Sequence, residues 1–233
     1  GMLIVDHCTR FTFGISIEFK SDAASKLIEF IDFNQKRLDR KVKTIRTDKG
    51  TEFVNSTLKT FCKQHGIVHE TTVGYSPEQN GIVERMNRTV FETVRLLLNS
   101  ACAPYQLWAE TMSYAIYVIN IWIRADEKTP YEKFYSKKPN YNHLRTFGCE
   151  AFHHITKLKR SSKFDKTSER LMFIGYTGST TNYRLVNPNT FEIVITNNVK
   201  FNEDKMFFDW NNSSRNLSNE SPRSNFDLVN SNC

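Results

Sequence analysis

No stretch of this sequence is apolar for long enough to cross a bilayer. The longest candidate, Ala115 to Ile123, is too short and is interrupted by Asn120. A secretory leader is missing as well, because "MLIV" runs straight into Asp6 and His7. Cysteine is sparse: five residues (Cys8, Cys62, Cys102, Cys149 and Cys233), scattered and odd in number. That argues against a disulfide framework and for a reducing compartment. No internal repeat is visible. "CKQHGIVH" offers Cys62, His65 and His69 as zinc ligands, but no fourth ligand follows at a useful spacing. The simpler reading is a helix end capped by Gly66 and followed by a strand.

What the chain does have is positive charge: a net +7 and a pI near 9.1 over 233 residues. That favours a polyanionic partner without naming one. The densest basic stretch, "KLKRSSKFDK", holds Lys157, Lys159, Arg160, Lys163 and Lys166. Such a run is also what an ordinary solvated loop looks like.

Hydrophobic periodicity gives an α/β order. "MLIVD" and "FTFGISIEF" read as antiparallel strands. A helix follows, capped by Ser21 or Asp22, with Ala24, Leu27, Ile28 and Ile31 at helical spacing. "KVKTIRTD" is a short strand ending at Asp48. Asn55 or Ser56 caps a second helix bearing Leu58, Phe61 and Cys62, and "IVHETT" is another strand. A loop at 74–81 leads into a long helix with Val83, Met86, Val90, Val94, Leu97 and Ala101 on one stripe. A further helix runs from about Tyr105 to Ile123, carrying Leu107, Trp108, Met112, Ala115, Ile116 and Ile119. We expect a core over 1–125, a helical connector over 126–148, a small all-β module over 149–208 and a disordered tail over 209–233.

Two carboxylates draw attention. Asp48 ends a strand beside Gly50, in "IRTDKGTEF", and Glu84 opens the long helix, in "YSPEQNGIVERMNR". Carboxylates brought together repel unless a cation such as Mg²⁺ lies between them. Paired Mg²⁺ ions about 3.5–4 Å apart serve phosphoryl transfer. Spacing alone equally allows Asp48 as a turn residue and Glu84 as a residue suited to a helix N-terminus.

"TDKGTEF" and "YSPEQNGIVERMNRTV", with 35 residues between Asp48 and Glu84, resemble the catalytic segments of Ty1/copia-type LTR retrotransposon integrases. "LWAETMSYAIYVIN", "TPYEKFYSKKPNYNHLRTFGC" and "KFDKTSERLMFIGY…NYRLVNPNTFEIVITNNVKFNED" follow the same order, so the resemblance covers roughly residues 3 to 205. It implies a ribonuclease-H-like integrase core followed by a small all-β module. It also implies joining of element DNA 3′ ends to target DNA with Mg²⁺ or Mn²⁺, by homo-oligomers on DNA, in the nucleus after a cytoplasmic particle stage. Asp48 and Glu84 would be catalytic metal ligands. Lys49, Gln79, Asn80, Gly81, Asn87 and Arg88 would lie near DNA, and Lys157, Lys159, Arg160 and Lys163 of the β module would add phosphate contacts.

Asn80 and Gly81 tolerate backbone conformations that other residues resist, which suits a flexible loop. Asn87 and Arg88 share a helix face with Glu84; Arg88 alternatively pairs with Glu84 or Glu92. The family's site is a triad whose first Asp lies on the central strand of its sheet, upstream of the segment that "MLIVDHCTRFTF" resembles. The chain is therefore expected to lack it, with Gly1 before Met2 marking an internal fragment or a tag scar. Asp6 is expected to be structural. Without that strand the chain is expected to fold poorly or to pair aberrantly. The rivals are a non-catalytic remnant that binds DNA or a partner, and a ribonuclease H.

Overall fold

The computed structural model describes residues 1–208 apart from 49, 51, 72–76, 157–159, 161, 163 and 179–181, with the backbone alone at 77–80. The expected tail over 209–233 lies outside the described residues. β1 (Met2–Val5) and β2 (Thr12–Ile15) form an antiparallel hairpin. Asp6 closes its turn, its Oδ2 accepting from the Thr9 amide at 2.8 Å and the Thr9 hydroxyl at 2.6 Å. α1 (Ala23–Leu38) follows a short 3₁₀ turn at Lys20–Asp22.

Neither Ser21 nor Asp22 caps α1 through its side chain. Asp22 already has helical backbone angles (φ −86°, ψ −7°), and side-chain capping normally starts from extended backbone. Asn55 does cap α2 (Ser56–His65), accepting from the Leu58 amide at 2.8 Å, and Gly66 at φ 65° ends it. α2 is the crossover between β3 (Thr44–Thr47) and β4 (Val68–Thr71), which pair in parallel.

These four strands form two separate two-stranded sheets. Both contribute to one apolar cluster: Met2 and Ile4 of β1 and Ile45 of β3 pack around Ala24, Leu27, Ile31, Leu58 and Phe61. The alternate residues of β1, Leu3 and Val5, pack into a second cluster on the opposite side. A strand covered on both faces reads as an unbroken apolar run, which explains "MLIV".

The second cluster joins the helices to the β module. α3 (Pro77–Ser100) contributes Met86, Val90, Val94 and Leu98, with Leu97 only half-buried beside it. α4 (Trp108–Ile121) contributes Met112, Ala115, Ile116 and Ile119, while Trp108 lies 40% exposed. From the β module come Leu171, Met172, Phe173, Leu185 and Val186. Asn120, the polar break in the apolar run, is buried; its amide bonds both the N–H and the C=O of Thr12 (2.8 and 2.7 Å) and so pins β2 to α4.

α5 (Pro130–Tyr135) is the short helical connector, capped by Thr129, and Phe134 stacks on Phe11 at 4.7 Å. The β module is a five-stranded antiparallel sheet of β5 (Cys149–His154), β6 (Ser168–Tyr176), β7 (Tyr183–Val186), β8 (Ile193–Thr196) and β9 (Val199–Met206), ordered β8-β7-β6-β5-β9. The run "FEIVITNNVKF" thus supplies two strands, at opposite edges of that sheet. At the entry to β5, Gly148 (φ 82°) meets the end of α3 so closely that an added Cβ would lie 2.3 Å from Ala101 Cβ.

Candidate active site

Asp48 leaves the end of β3 and is exposed, its Oδ1 accepting from the Gly50 amide at 3.2 Å. The strand below it is fixed laterally. Arg46 binds Glu70 of β4 through Nε (3.0 Å) and Nη2 (2.7 Å), and buried Thr47 meets His69 Nε2 at 3.0 Å. Beyond Asp48 the chain turns tightly: the Gly50 carbonyl accepts from the amides of Phe53 and Val54, and the Asn55 amide group donates to the Glu52 carbonyl.

That turn brings in a residue the sequence reading passed over. The Glu52 carboxylate folds back over Gly50, where an added Cβ would lie 2.7 Å from it and 3.0 Å from Asp48 Oδ1. Two carboxylates thus flank a position where an added Cβ would have to push their side-chain ends aside. The available signal was the placement of Glu52 one short glycine turn after Asp48. Lys49 lies outside the described residues.

Glu84 is exposed on α3. The helix begins at Pro77, which takes Gln79, Asn80 and Gly81 into it rather than leaving them in a loop ending at 81. Proline suits the first helical position, since its φ is preset and its missing N–H would have had no intrahelical partner there. Glu84 therefore lies about two turns in. The side chains of Gln79 and Asn80 are outside the described residues. At Gly81 an added Cβ would approach only Arg85 Nη2, at 3.9 Å, so no close packing requires the glycine. Arg85 Nε donates to the Gly81 carbonyl at 2.8 Å. Asn87 is half-buried; Arg88 is exposed and forms no ion pair with Glu84 or Glu92.

Among the described residues no three His, Cys, Asp or Glu side chains converge as a metal-binding group, and no hydrogen bond joins Asp48 to Glu84. In "CKQHGIVH", Cys62 is buried, and burial pushes its thiol pKa up. His65 Nδ1 lies 3.0 Å from the Phe61 carbonyl, and His69 is engaged by Thr47. Of the basic β-module residues, Arg160 is half-buried, whereas Lys157, Lys159 and Lys163 lie outside the described residues. No helix among the described residues is long and apolar enough to cross a membrane.

The Integrase core domain family matches residues 2–77, and the Retroviral polymerase SH3-like domain matches residues 149–216. The mixed α/β segment over the first of these matches is thus followed by the five-stranded β module over the second. Among similar proteins, the Retrovirus-related Pol polyprotein from transposon TNT 1-94 of Nicotiana tabacum is 33% identical over 204 residues, which is 87% of this chain and 15% of that protein. The corresponding polyprotein from transposon RE1 of Arabidopsis thaliana is 31% identical over 205 residues, 87% of this chain and 14% of that protein. The chain thus carries an integrase core segment and a retroviral SH3-like segment, and over 87% of its length it is similar to retrovirus-related Pol polyproteins of copia-type plant transposons. It spans only about a seventh of the length of those relatives.

Two solved structures share weaker likeness. The simian T-cell lymphotropic virus intasome in complex with PP2A regulatory subunit B56 gamma matches with TM-score 0.46 and 18% identity, over 85% of this chain and 70% of that one. The catalytic core domain of BIV integrase matches with TM-score 0.44 and 21% identity, over 57% of this chain and 84% of that one.

Proposed function

We propose that this chain serves DNA integration, binding DNA and contributing Asp48 and Glu84 to metal-dependent joining of element 3′ ends to target DNA. The observation that carries the reading is the paired carboxylate turn at Asp48, inside the segment matched by the integrase core family. The donor set fits Mg²⁺ or Mn²⁺. Asp48 and Glu52 offer hard oxygen donors on either side of Gly50, and Mg²⁺ is typically held by one or two carboxylates together with water and substrate phosphate. When bound there, a divalent cation supplies Lewis-acid polarisation of the phosphoryl group and activation of the attacking oxygen.

The chain's own residues do the positioning. Asp48 is anchored at the end of a strand locked by the Arg46–Glu70 pair, so its carboxylate is presented from a rigid support. Arg88, unpaired by either neighbouring glutamate, is available to a phosphate, and Asn87 lies beside it on the helix.

A second reading, DNA binding without cleavage, is favoured by the lack of a three-donor cluster among the described residues. One experiment separates the two. A recessed oligonucleotide end and plasmid DNA are incubated with Mg²⁺ or Mn²⁺ and the chain or its variants Asp48→Asn, Glu84→Gln and Gly50→Ala, while Mn²⁺ binding is followed by electron paramagnetic resonance. Integration predicts joining that Asp48→Asn and Glu84→Gln abolish, and weaker Mn²⁺ binding in Gly50→Ala, whose methyl displaces both carboxylates. Duplex binding that falls with salt but is never accompanied by joining supports the second reading. Duplex binding unchanged between low and high salt rejects both.

A further inference from the structure

Building on the DNA-integration reading, we infer that one face of the β module is a stacking platform for unpaired nucleotides of a DNA strand. Phe152 of β5 sits directly opposite Lys200 of β9 on one side and Arg170 of β6 on the other. Directly opposed residues of neighbouring strands share a face, so an aromatic ring lies between two cations in one row across three strands. All three side chains are exposed. Beside the row lies a groove of about 580 Å³ whose apolar surfaces are Phe152, Ile155 and Phe207 and whose polar rim includes Lys166, Asn187 and Asn189.

The groove is held in shape by Arg170. Its guanidinium lies over the Phe207 ring at 4.2 Å, donates to the Phe207 carbonyl at 3.0 Å and reaches Glu150 Oε1 through Nε (2.8 Å) and Nη2 (2.5 Å). That pairing cancels most of its charge. Glu169 also lines the groove and accepts from Asn187 at 3.5 Å. The cations left over are Lys166 and Lys200, neither of which forms an ion pair among the described residues.

Among the described residues two unpaired cations lie on this face, which is few for gripping a duplex by its phosphates. An exposed ring with amide side chains nearby instead suits bases that are free to leave a stack. Duplex bases already stack on one another and present mainly phosphate to such a surface. The occupant is therefore an unpaired strand, such as the overhang left at a DNA end. Its binding is led by stacking.

Fluorescence anisotropy of the 233-residue chain with a labelled twelve-nucleotide oligo-dT, and with a duplex of the same length, tests this. Phe152→Ala is expected to weaken oligo-dT binding about tenfold and duplex binding less than about twofold. Phe152→Trp, which keeps a stacking ring, should restore oligo-dT affinity. Circular dichroism of each variant checks that the exposed substitution leaves the fold intact. The inference is overturned if the wild-type chain does not bind oligo-dT, if Phe152→Ala leaves that binding unchanged, or if duplex binding falls as much. Those results would leave a general phosphate-binding face or a protein-docking groove. Loss of the platform alone leaves the integration reading standing, whereas duplex binding insensitive to salt removes that reading itself.

Discussion

Replacing Asn120 by Ala should be the most damaging single change to how the hairpin is held. Asn120 is 5% exposed and Thr12 1% exposed, so water does not reach the backbone groups that the Asn120 amide satisfies. Each buried polar group left without a partner costs about 1–3 kcal/mol, so losing both bonds should cost about 2–6 kcal/mol. With a urea slope of about 2 kcal/mol per molar, the unfolding midpoint should fall by about 1–3 M. Asn120→Asp keeps an acceptor for the Thr12 amide but turns a carboxylate oxygen toward the Thr12 carbonyl, and should be at least as harmful. Thr12→Val removes only the Oγ1 bond to the Arg10 carbonyl at 3.2 Å and should cost less than about 1.5 kcal/mol. Amide hydrogen exchange at Thr12 should accelerate in Asn120→Ala. If Asn120→Ala costs less than about 1 kcal/mol, or no more than Thr12→Val, the two bonds do not pin β2 to α4 as argued.

Gly148→Ala places a methyl 2.3 Å from Ala101 Cβ on a residue at φ 82°. We expect a loss of about 3 kcal/mol from clash and backbone strain, seen as a lower melting temperature and partly rescued by Ala101→Gly; an unchanged melting temperature refutes it. His143 is held below its ordinary pKa of 6.5, first by burial and then by the nearby Arg145, while its Nε2 meets the Tyr117 hydroxyl. The folded state therefore favours the neutral ring. The unfolded state binds more protons below about pH 6.5, so this contribution is complete above that pH and is lost as the pH falls toward the depressed folded value. His143→Gln should flatten the stability profile between about pH 7 and pH 5 in chemical denaturation; a slope equal to wild type would assign the pH dependence elsewhere.

Much of the core was legible because its signals are local. The Asn55 cap and the Gly66 stop are defined within one helix turn of their own residues, and "MLIV" and "TIRT" are short runs of strand-forming residues. Asp48 could be placed at a strand end for the same reason. The helix start at Pro77 was not legible locally, since an Asn-Gly pair suggests a loop while a proline three residues earlier equally begins a helix. The Ser21 or Asp22 cap failed because a 3₁₀ turn had already given Asp22 helical angles.

The sequence by itself determined the kind and order of the elements, the basic charge and the two carboxylate segments, because each depends on neighbours within a few positions. Only the tertiary structure decided what lies beside what. It folded Glu52 back to Asp48 across Gly50, merged α3 and α4 with the β module in one apolar cluster, and set Phe152 between Lys200 and Arg170. It also left β1 with β2 and β3 with β4 as separate pairs. Such relations are set by contacts between residues far apart in the chain, where packing and strand register leave no local pattern to read.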